Sequence, residues 1–199
     1  MRKALCAQMI FLCLLLAACG GQRAEGNDAQ ALALQIRTEY LAMTGCTGAL
    51  SLCADYGQRV YEYGMDFTWD KETGTAMTLT APEDISGVII RMEAGQTALE
   101  YDGTRLETGP LSPEGLSPLE TMPLLLTYAK EGYIAACTME TLGETETLRM
   151  DCRQPEAKAG SGTEASLWFD PESRALLQGE ISVDGRSVLT CKVTEFRRI

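Results

Sequence analysis

Apolar positions along this chain recur with two spacings, and the change of spacing separates a helix from strands. Within residues 29–43 the apolar residues fall three and four positions apart, as on one face of an α-helix. They are Leu32, Ile36, Tyr40 and Met43. Asn27 or Asp28 can cap this helix, and Gly45 can end it. From Tyr56 onward the spacing becomes two, which is typical of strands with one buried face.

The segment from Val60 to Asp70 is the clearest strand and has an aromatic inner face. Its alternate residues on that face are Tyr61, Tyr63, Met65, Phe67 and Trp69. Residues 71–74 predict a hairpin turn. The returning strand, Thr75 to Ala81, places Met77 and Leu79 on the same side.

Short turns separate three further strands, at residues 87–93, 97–101 and 105–108, so consecutive antiparallel pairing is predicted. Ser117-Pro118-Leu119-Glu120 predicts a second helix, because serine caps a helix and proline fits its first position. Pro123 should bend this helix or break its first turns.

The last part of the chain predicts five more strands, at residues 133–141, 145–152, 164–169, 175–183 and 187–196. The segment between Gly45 and Tyr56 is predicted as a short connection, which leaves the order helix, five strands, helix, five strands. This order is typical of an α+β fold with one antiparallel sheet.

Five cysteines lie beyond the first nineteen residues: Cys46, Cys53, Cys137, Cys152 and Cys191. If residue 142 pairs with residue 147, Cys137 lies opposite Cys152. These two sulfurs then form a disulfide or lie as adjacent buried thiols, and both alternatives stay open. Cys46 and Cys53 do not form a CxxC motif, so a local disulfide or two buried thiols is predicted rather than a redox site.

The first nineteen residues have the pattern of an export signal. Arg2 and Lys3 precede an apolar run from Ala4 to Leu16, interrupted only by Gln8, which is too short to span a bilayer comfortably. Leu16-Ala17-Ala18-Cys19 then resembles the bacterial lipobox. An ordinary secretory signal with an incidental cysteine is the alternative.

The lipobox resemblance implies cleavage after residue 18 and a diacylglycerol anchor, with palmitate among its acyl chains, on Cys19. The protein would then be held to the outer face of the cytoplasmic membrane. Residues 19–27 are predicted as a flexible, lipid-anchored tether. Residues 28–199 are long enough for one core and one domain.

Charge and composition exclude several functions. The net charge is −11, and loss of Arg2 and Lys3 with the signal would take it to −13, which disfavours nucleic acid as a partner. The chain has no histidine, so Ser–His and Cys–His catalytic pairs and histidine-ligated zinc are excluded. Asp151 and Asp170 are predicted to lie on a solvated strand face and in a turn rather than as paired carboxylates. We expect no enzyme activity, no metal and no cofactor.

A hairpin with the sequence Trp168-Phe169-Asp170-Pro171-Glu172-Ser173 precedes a strand from Leu176 to Val183, Asp184-Gly185 and a final strand ending in Phe196. These segments resemble LolA/LolB-like lipoprotein carriers and related lipoproteins, in which a W-x-D-x-x-T-x-x-P hairpin precedes such a strand. Gly115-Leu116-Ser117-Pro118 also looks like the Gram-positive members. The resemblance covers roughly residues 29–199 and is nearest to lipoproteins of Gram-positive anaerobes, some associated with spores and germination.

The resemblance implies a curved antiparallel sheet that forms an unclosed half β-barrel, with helices covering its concave face. It also implies binding of an apolar ligand, a lipid or a lipoprotein acyl chain, inside the half-barrel. The candidate cavity wall is Tyr61, Tyr63, Met65, Phe67, Trp69, Met77 and Leu79. The alternative for these residues is an ordinary core packed by the helices.

A second functional hypothesis is a non-enzymatic interaction module that positions or regulates a cell-envelope enzyme, including one of the spore cortex. Such a module would use a sheet edge or the outer sheet face. A hydrophobic cavity of several hundred cubic ångströms would favour the apolar ligand. A filled core with an exposed apolar patch would favour the interaction module.

Overall fold

The computed structural model describes residues 21–93, 95–112 and 116–199. The predicted signal peptide and the lipidated Cys19 lie outside these residues. Among the helices of the described residues, none is long and apolar enough to cross a membrane.

The described residues form two α-helices, eleven strands and two short 3-10 turns. The helices are α1 (Gly21–Ala42) and α2 (Thr121–Glu131), and the 3-10 turns are Glu83–Ile85 and Pro118–Glu120. The strands before α2 are β1 (Gly45–Asp55), β2 (Val60–Asp70), β3 (Gly74–Ala81), β4 (Ile89–Glu93), β5 (Gln96–Tyr101) and β6 (Thr104–Glu107). The strands after α2 are β7 (Tyr133–Leu142), β8 (Thr145–Arg153), β9 (Thr163–Phe169), β10 (Leu176–Val183) and β11 (Arg186–Arg198).

All eleven strands form one antiparallel sheet in the order β6-β5-β4-β3-β2-β1-β11-β10-β9-β8-β7. Two meanders therefore run outward from the centre, and the chain crosses from one edge to the other through α2. The edge strands β6 and β7 do not pair with each other in the described residues, so the sheet is an unclosed barrel. The predicted α+β class and the half-barrel architecture are confirmed.

The central strand, β1, is the one strand that the sequence pattern did not predict. It pairs with β2 on one side and with β11 on the other. Leu50, Leu52 and Ala54 alternate inward along it, but small residues and glycines weaken the pattern at its start. Gly48 lies beside an irregularity in the pairing with β11, where a side chain would collide with the backbone oxygen of Glu195.

Helix α1 begins at Gly21, six residues before the predicted cap at Asn27. The predicted flexible tether is therefore helical over residues 21–27. Good helix formers at positions 22–25 (Gln, Arg, Ala and Glu) account for the extension, despite the cost of Gly26 within the helix.

The start of α2 follows the predicted cap. The Ser117 hydroxyl accepts a hydrogen bond from the Leu119 N–H at 3.3 Å, and a 3-10 turn precedes the α-helix. Pro123 lies in the first turn of α2, where backbone N–H groups have no partner within the helix. Its missing donor therefore costs little, and the helix continues to Glu131.

The predicted position of Cys137 directly opposite Cys152 is wrong. Leu142 pairs with Thr145, so Cys137 lies opposite Met150, and Cys152 lies opposite Ile134. Gly143 has a φ of 66°, which allows a turn of two residues instead of the longer loop that the prediction assumed. A bulge after Ile134 shifts the register again, and both thiols are free.

The core lies between the concave face of the sheet and the two helices. Helix α1 contributes Ala29, Ala33, Ile36 and Tyr40, and Met43 follows its last residue; each is at most 5% exposed. The Tyr40 ring meets Phe169 edge-on at 5.4 Å and stacks on Phe196 at 5.9 Å. The buried face of α2 is Met122, Leu125, Leu126 and Ala129. The helices thus fill part of the half-barrel that the sequence left open to a ligand.

Candidate functional site

Four of the seven predicted cavity residues belong to the packed core. Met65, Phe67, Met77 and Leu79 are each at most 3% exposed and share one apolar cluster with residues of both helices. In this arrangement their side chains contribute to folding rather than to an open wall.

The other three predicted cavity residues lie at the two ends of β2. Trp69 is half-buried beneath the last turn of α2, with the Lys130 ammonium 3.1 Å from its ring centre. At the opposite end, Tyr61 is 38% exposed and stacks on Tyr63 at 6.4 Å. Tyr56 extends this aromatic rim and donates a hydrogen bond to the Leu116 carbonyl at 2.8 Å.

An open groove of about 440 Å³ lies between helix α1 and edge strand β7. We call it the α1–β7 groove. Its lining residues are Gly26, Gln30, Leu34 and Arg37 of the helix and residues 133–137 of the strand. A second hollow adjoins it at Gly26 and Cys137 and is lined also by Asp28, Ala29, Thr138, Met139 and Glu146.

The walls of the α1–β7 groove expose apolar side chains. Leu34 is 54% exposed and Tyr133 is 49% exposed, and Ala135 and Ala136 are exposed between them. At the end nearer α2, Arg37 donates hydrogen bonds to the carbonyls of Ala129 and Gly132 and so caps the C-terminus of α2. The groove therefore exposes apolar side chains along its middle, and the Arg37 guanidinium bounds one end of it.

The two edges of the sheet are protected very differently. Strand β6 has four residues, and Arg105 on it binds Glu107 at 2.7 Å and Glu100 at 2.9 Å. Strand β7 has ten residues and one charged side chain, Glu140. Glu140 accepts a hydrogen bond from the Trp168 indole at 2.5 Å on the convex face. Charged side chains on an edge strand hinder pairing with other chains, so β6 has a charge protection that β7 largely lacks.

The cysteines have the environment of structural thiols. Burial raises the pKa of Cys46 and Cys152 to about 11 and that of Cys191 to about 12. These thiols stay protonated at neutral pH and are poor nucleophiles.

The two aspartates considered as catalytic carboxylates have local partners. Asp170 accepts hydrogen bonds from the N–H groups of Glu172 and Ser173 in the turn after β9, as predicted. Asp151 binds Arg149 at 2.8 Å and accepts a hydrogen bond from the Ser166 hydroxyl at 2.6 Å.

The α1–β7 groove was not predicted from the sequence. One signal was present: residues 133–139 contain no charged residue, in a chain of which 23% of residues are charged. A second signal was Leu34, which lies off the apolar stripe of its helix. Neither shows that the helix lies beside this strand, because that contact joins residues about one hundred positions apart.

Of the comparisons with known proteins, only that with solved structures finds matches. No family model and no curated protein matches the sequence. An uncharacterized conserved protein from Thermus thermophilus is 11% identical, with a TM-score of 0.50 over 86% of this chain and 88% of that one. At this identity the likeness shows the fold alone.

Two other solved structures are similar at lower TM-scores. Lipoprotein LppX from Mycobacterium tuberculosis is 15% identical, with a TM-score of 0.46 over 83% of this chain and 94% of that one. A LolA superfamily protein from Nitrosomonas europaea is 9% identical, with a TM-score of 0.41 over 85% of this chain and 92% of that one.

Proposed function

We propose that this chain is a lipid-anchored, non-enzymatic interaction module of the cell envelope, which binds a segment of a partner protein in the α1–β7 groove. The observation that carries the proposal is an open groove with exposed apolar side chains beside an edge strand that carries one charged residue. The predicted interior site, by contrast, is largely filled by Met65, Phe67, Met77 and Leu79.

The groove suits a polypeptide because it offers two kinds of contact. Leu34 and Tyr133 supply exposed apolar area, and strand β7 supplies backbone groups for hydrogen bonding. A lipid chain would use the first contact and make no use of the second. Exposed apolar surface next to a filled core is typical of protein-interaction sites.

The proposed anchor would place this groove close to the membrane. Cys19 precedes the first residue of α1 by two positions, and Gly26 at the groove lies about 8 Å further along the helix at 1.5 Å per residue. The partner would then be another protein at the outer face of the cytoplasmic membrane, such as an envelope enzyme.

Carriage of an apolar ligand, a lipid or a lipoprotein acyl chain, is the second candidate function. It is favoured by the exposed apolar wall at Leu34 and Tyr133 and by the half-exposed rim of Tyr61 and Tyr63. Under this alternative, lipid would remain bound through purification.

Native mass spectrometry with lipid extraction separates the two candidates. The chain from residue 20 onward is expressed without its anchor, and the interaction module predicts no stoichiometric lipid. Near one lipid per chain would replace the proposal with the carrier function.

Site-specific photo-crosslinking in cells tests the groove itself. A photoreactive amino acid at Leu34 should capture a defined partner. The same amino acid at Leu106, which is 60% exposed on β6, is the matched control. Equal capture at both positions, or no capture at Leu34, would contradict the proposal.

A further inference from the structure

We infer that the partner segment binds as an extended strand, added to β7 as a further strand of the sheet, and that it places a basic residue at the acidic end of the groove. This inference rests on the proposed function and specifies the conformation and chemistry of the segment.

The backbone of β7 has one side without a strand partner. Its residues pair with β8 from Tyr133↔Arg153 to Leu142↔Thr145, and no other strand of the described residues pairs with it. In an antiparallel ladder, alternate residues direct their N–H and C=O groups away from the existing partner. A ten-residue edge therefore offers a row of donors and acceptors that an extended peptide can satisfy.

Helix α1 forms a wall along this edge. Gln30, Leu34 and Arg37 are spaced by four and three positions, so they lie on one face of the helix, and all three line the groove opposite residues 133–137. A strand added beside β7 would turn alternate side chains toward Leu34 and Tyr133. Specificity in this mode comes from pockets for alternate side chains, so the segment should alternate apolar and polar residues.

The charges at the two ends of the groove predict how the bound segment is oriented. At the end of the groove away from Arg37, the lining includes the exposed carboxylates of Asp28 and Glu146 and, among the side chains that the structure describes, no basic residue. Arg37 at the other end is already hydrogen-bonded to two carbonyls. A lysine or arginine near one end of the bound segment would complement the two carboxylates, while its middle remains uncharged.

A displayed library of random ten-residue peptides, the length of β7, tests the inference on the unanchored chain from residue 20 onward. The retained peptides should lack proline, alternate apolar and polar residues and carry lysine or arginine near one end. In hydrogen–deuterium exchange, a retained peptide should slow exchange of amides in residues 133–142 and leave those of β6 unchanged.

Matched lysine substitutions at the two sheet edges give the decisive comparison. Ala135→Lys on exposed β7 should weaken peptide binding by about tenfold or more, because an edge lysine opposes strand addition. Thr104→Lys on exposed β6 should have no effect. Thermal unfolding of both variants checks that each remains folded.

The charge complementarity is tested separately. The double variant Asp28→Asn with Glu146→Gln should weaken peptide binding about threefold and reduce the dependence of binding on salt.

The outcomes distinguish this inference from the proposed function. Peptides that bind without protecting β7 amides, and that are lost with Leu34→Lys but kept with Ala135→Lys, would overturn strand addition and leave groove binding standing. Unchanged affinity in the Asp28 and Glu146 variant would overturn the charge complementarity. If the chain retains no peptide at all, both the inference and the proposed function are wrong.

Discussion

The ammonium group of Lys130 lies 3.1 Å from the centre of the Trp69 ring, so the last turn of α2 is held over strand β2 by a cation–π contact. Burial lowers the pKa of Lys130 from its ordinary value. The contact attaches α2, which connects the two edges of the sheet, to strand β2 in the half of the sheet formed by strands β1 to β6.

A double-mutant cycle on this pair should measure a favourable coupling. We expect Trp69→Leu and Lys130→Met to show a coupling free energy of about 0.5–1 kcal/mol in urea unfolding, the usual range for a partly exposed cation–π pair. Trp69→Leu combined with Lys192→Met, at an exposed position on β11, is the control and should be additive. Additivity of both pairs would show that the Lys130 contact has no energetic role.

The pair of Glu39 and Arg198 should make stability depend on pH. The hydrogen bond from Arg198 is the largest cause that holds the pKa of Glu39 below its ordinary value of 4.5. A lowered carboxylate pKa adds stability above pH 4.5, and this contribution disappears as the pH falls through the folded-state pKa.

Glu39→Gln should therefore lower the free energy of unfolding by up to about 1 kcal/mol at pH 7, and by progressively less as the pH falls below 4.5. Urea unfolding at several pH values measures this difference. Glu62→Gln, at an exposed position on β2, is the control and should change stability little at any pH. A Glu39→Gln effect that is equal at pH 7 and at acidic pH would contradict the assignment.

Whether the aromatic face of β2 is packed core or an open cavity wall determines how much stability a substitution there removes. Phe67→Ala should destabilise the protein by about 3–5 kcal/mol, because Phe67 is 3% exposed and its removal leaves a void. Tyr61→Ala, at a position 38% exposed, should cost much less. Chemical denaturation measures both variants. A small loss for Phe67→Ala would favour an open ligand cavity at this face.

Thiol reactivity should follow burial. In the folded protein a thiol reagent should modify the partly exposed Cys53 and Cys137 first. Cys46, Cys152 and Cys191 should react after unfolding, because burial both raises their pKa and excludes the reagent. All five should react in urea without reductant. Three reactive thiols under those conditions would indicate a disulfide.

The predicted anchor depends on one side chain outside the described residues. Cys19→Ala should move the protein from the membrane fraction to the soluble extracytoplasmic fraction, because the substitution removes the acylated thiol. Cell fractionation followed by immunoblotting measures the distribution. Replacement of Cys6, in the apolar run, is the control. Retention of the Cys19→Ala protein in the membrane would contradict lipid anchoring.

Local patterns in the sequence were sufficient to predict most of the elements. Strand β2 runs from Val60 to Asp70, as its strict alternation predicted, and Ser117 caps the segment leading into α2. These features depend on side-chain periodicity and on hydrogen bonds between near neighbours. The central strand β1 was missed because Gly45 and Gly48 interrupt the alternation, and its position is fixed by pairing with β11 about 150 residues later.

The sequence by itself determined the periodicity of the strands, the helix caps and turns and the absence of histidine chemistry. Only the tertiary structure decided which apolar residues form the core and which remain exposed. Phe67 and Leu34 are both apolar, but Phe67 is covered by a core that includes both helices, whereas Leu34 faces outward beside β7. The register of Cys137 was decided by a two-residue turn and a bulge, since backbone geometry rather than side-chain pattern sets which residues face each other across strands.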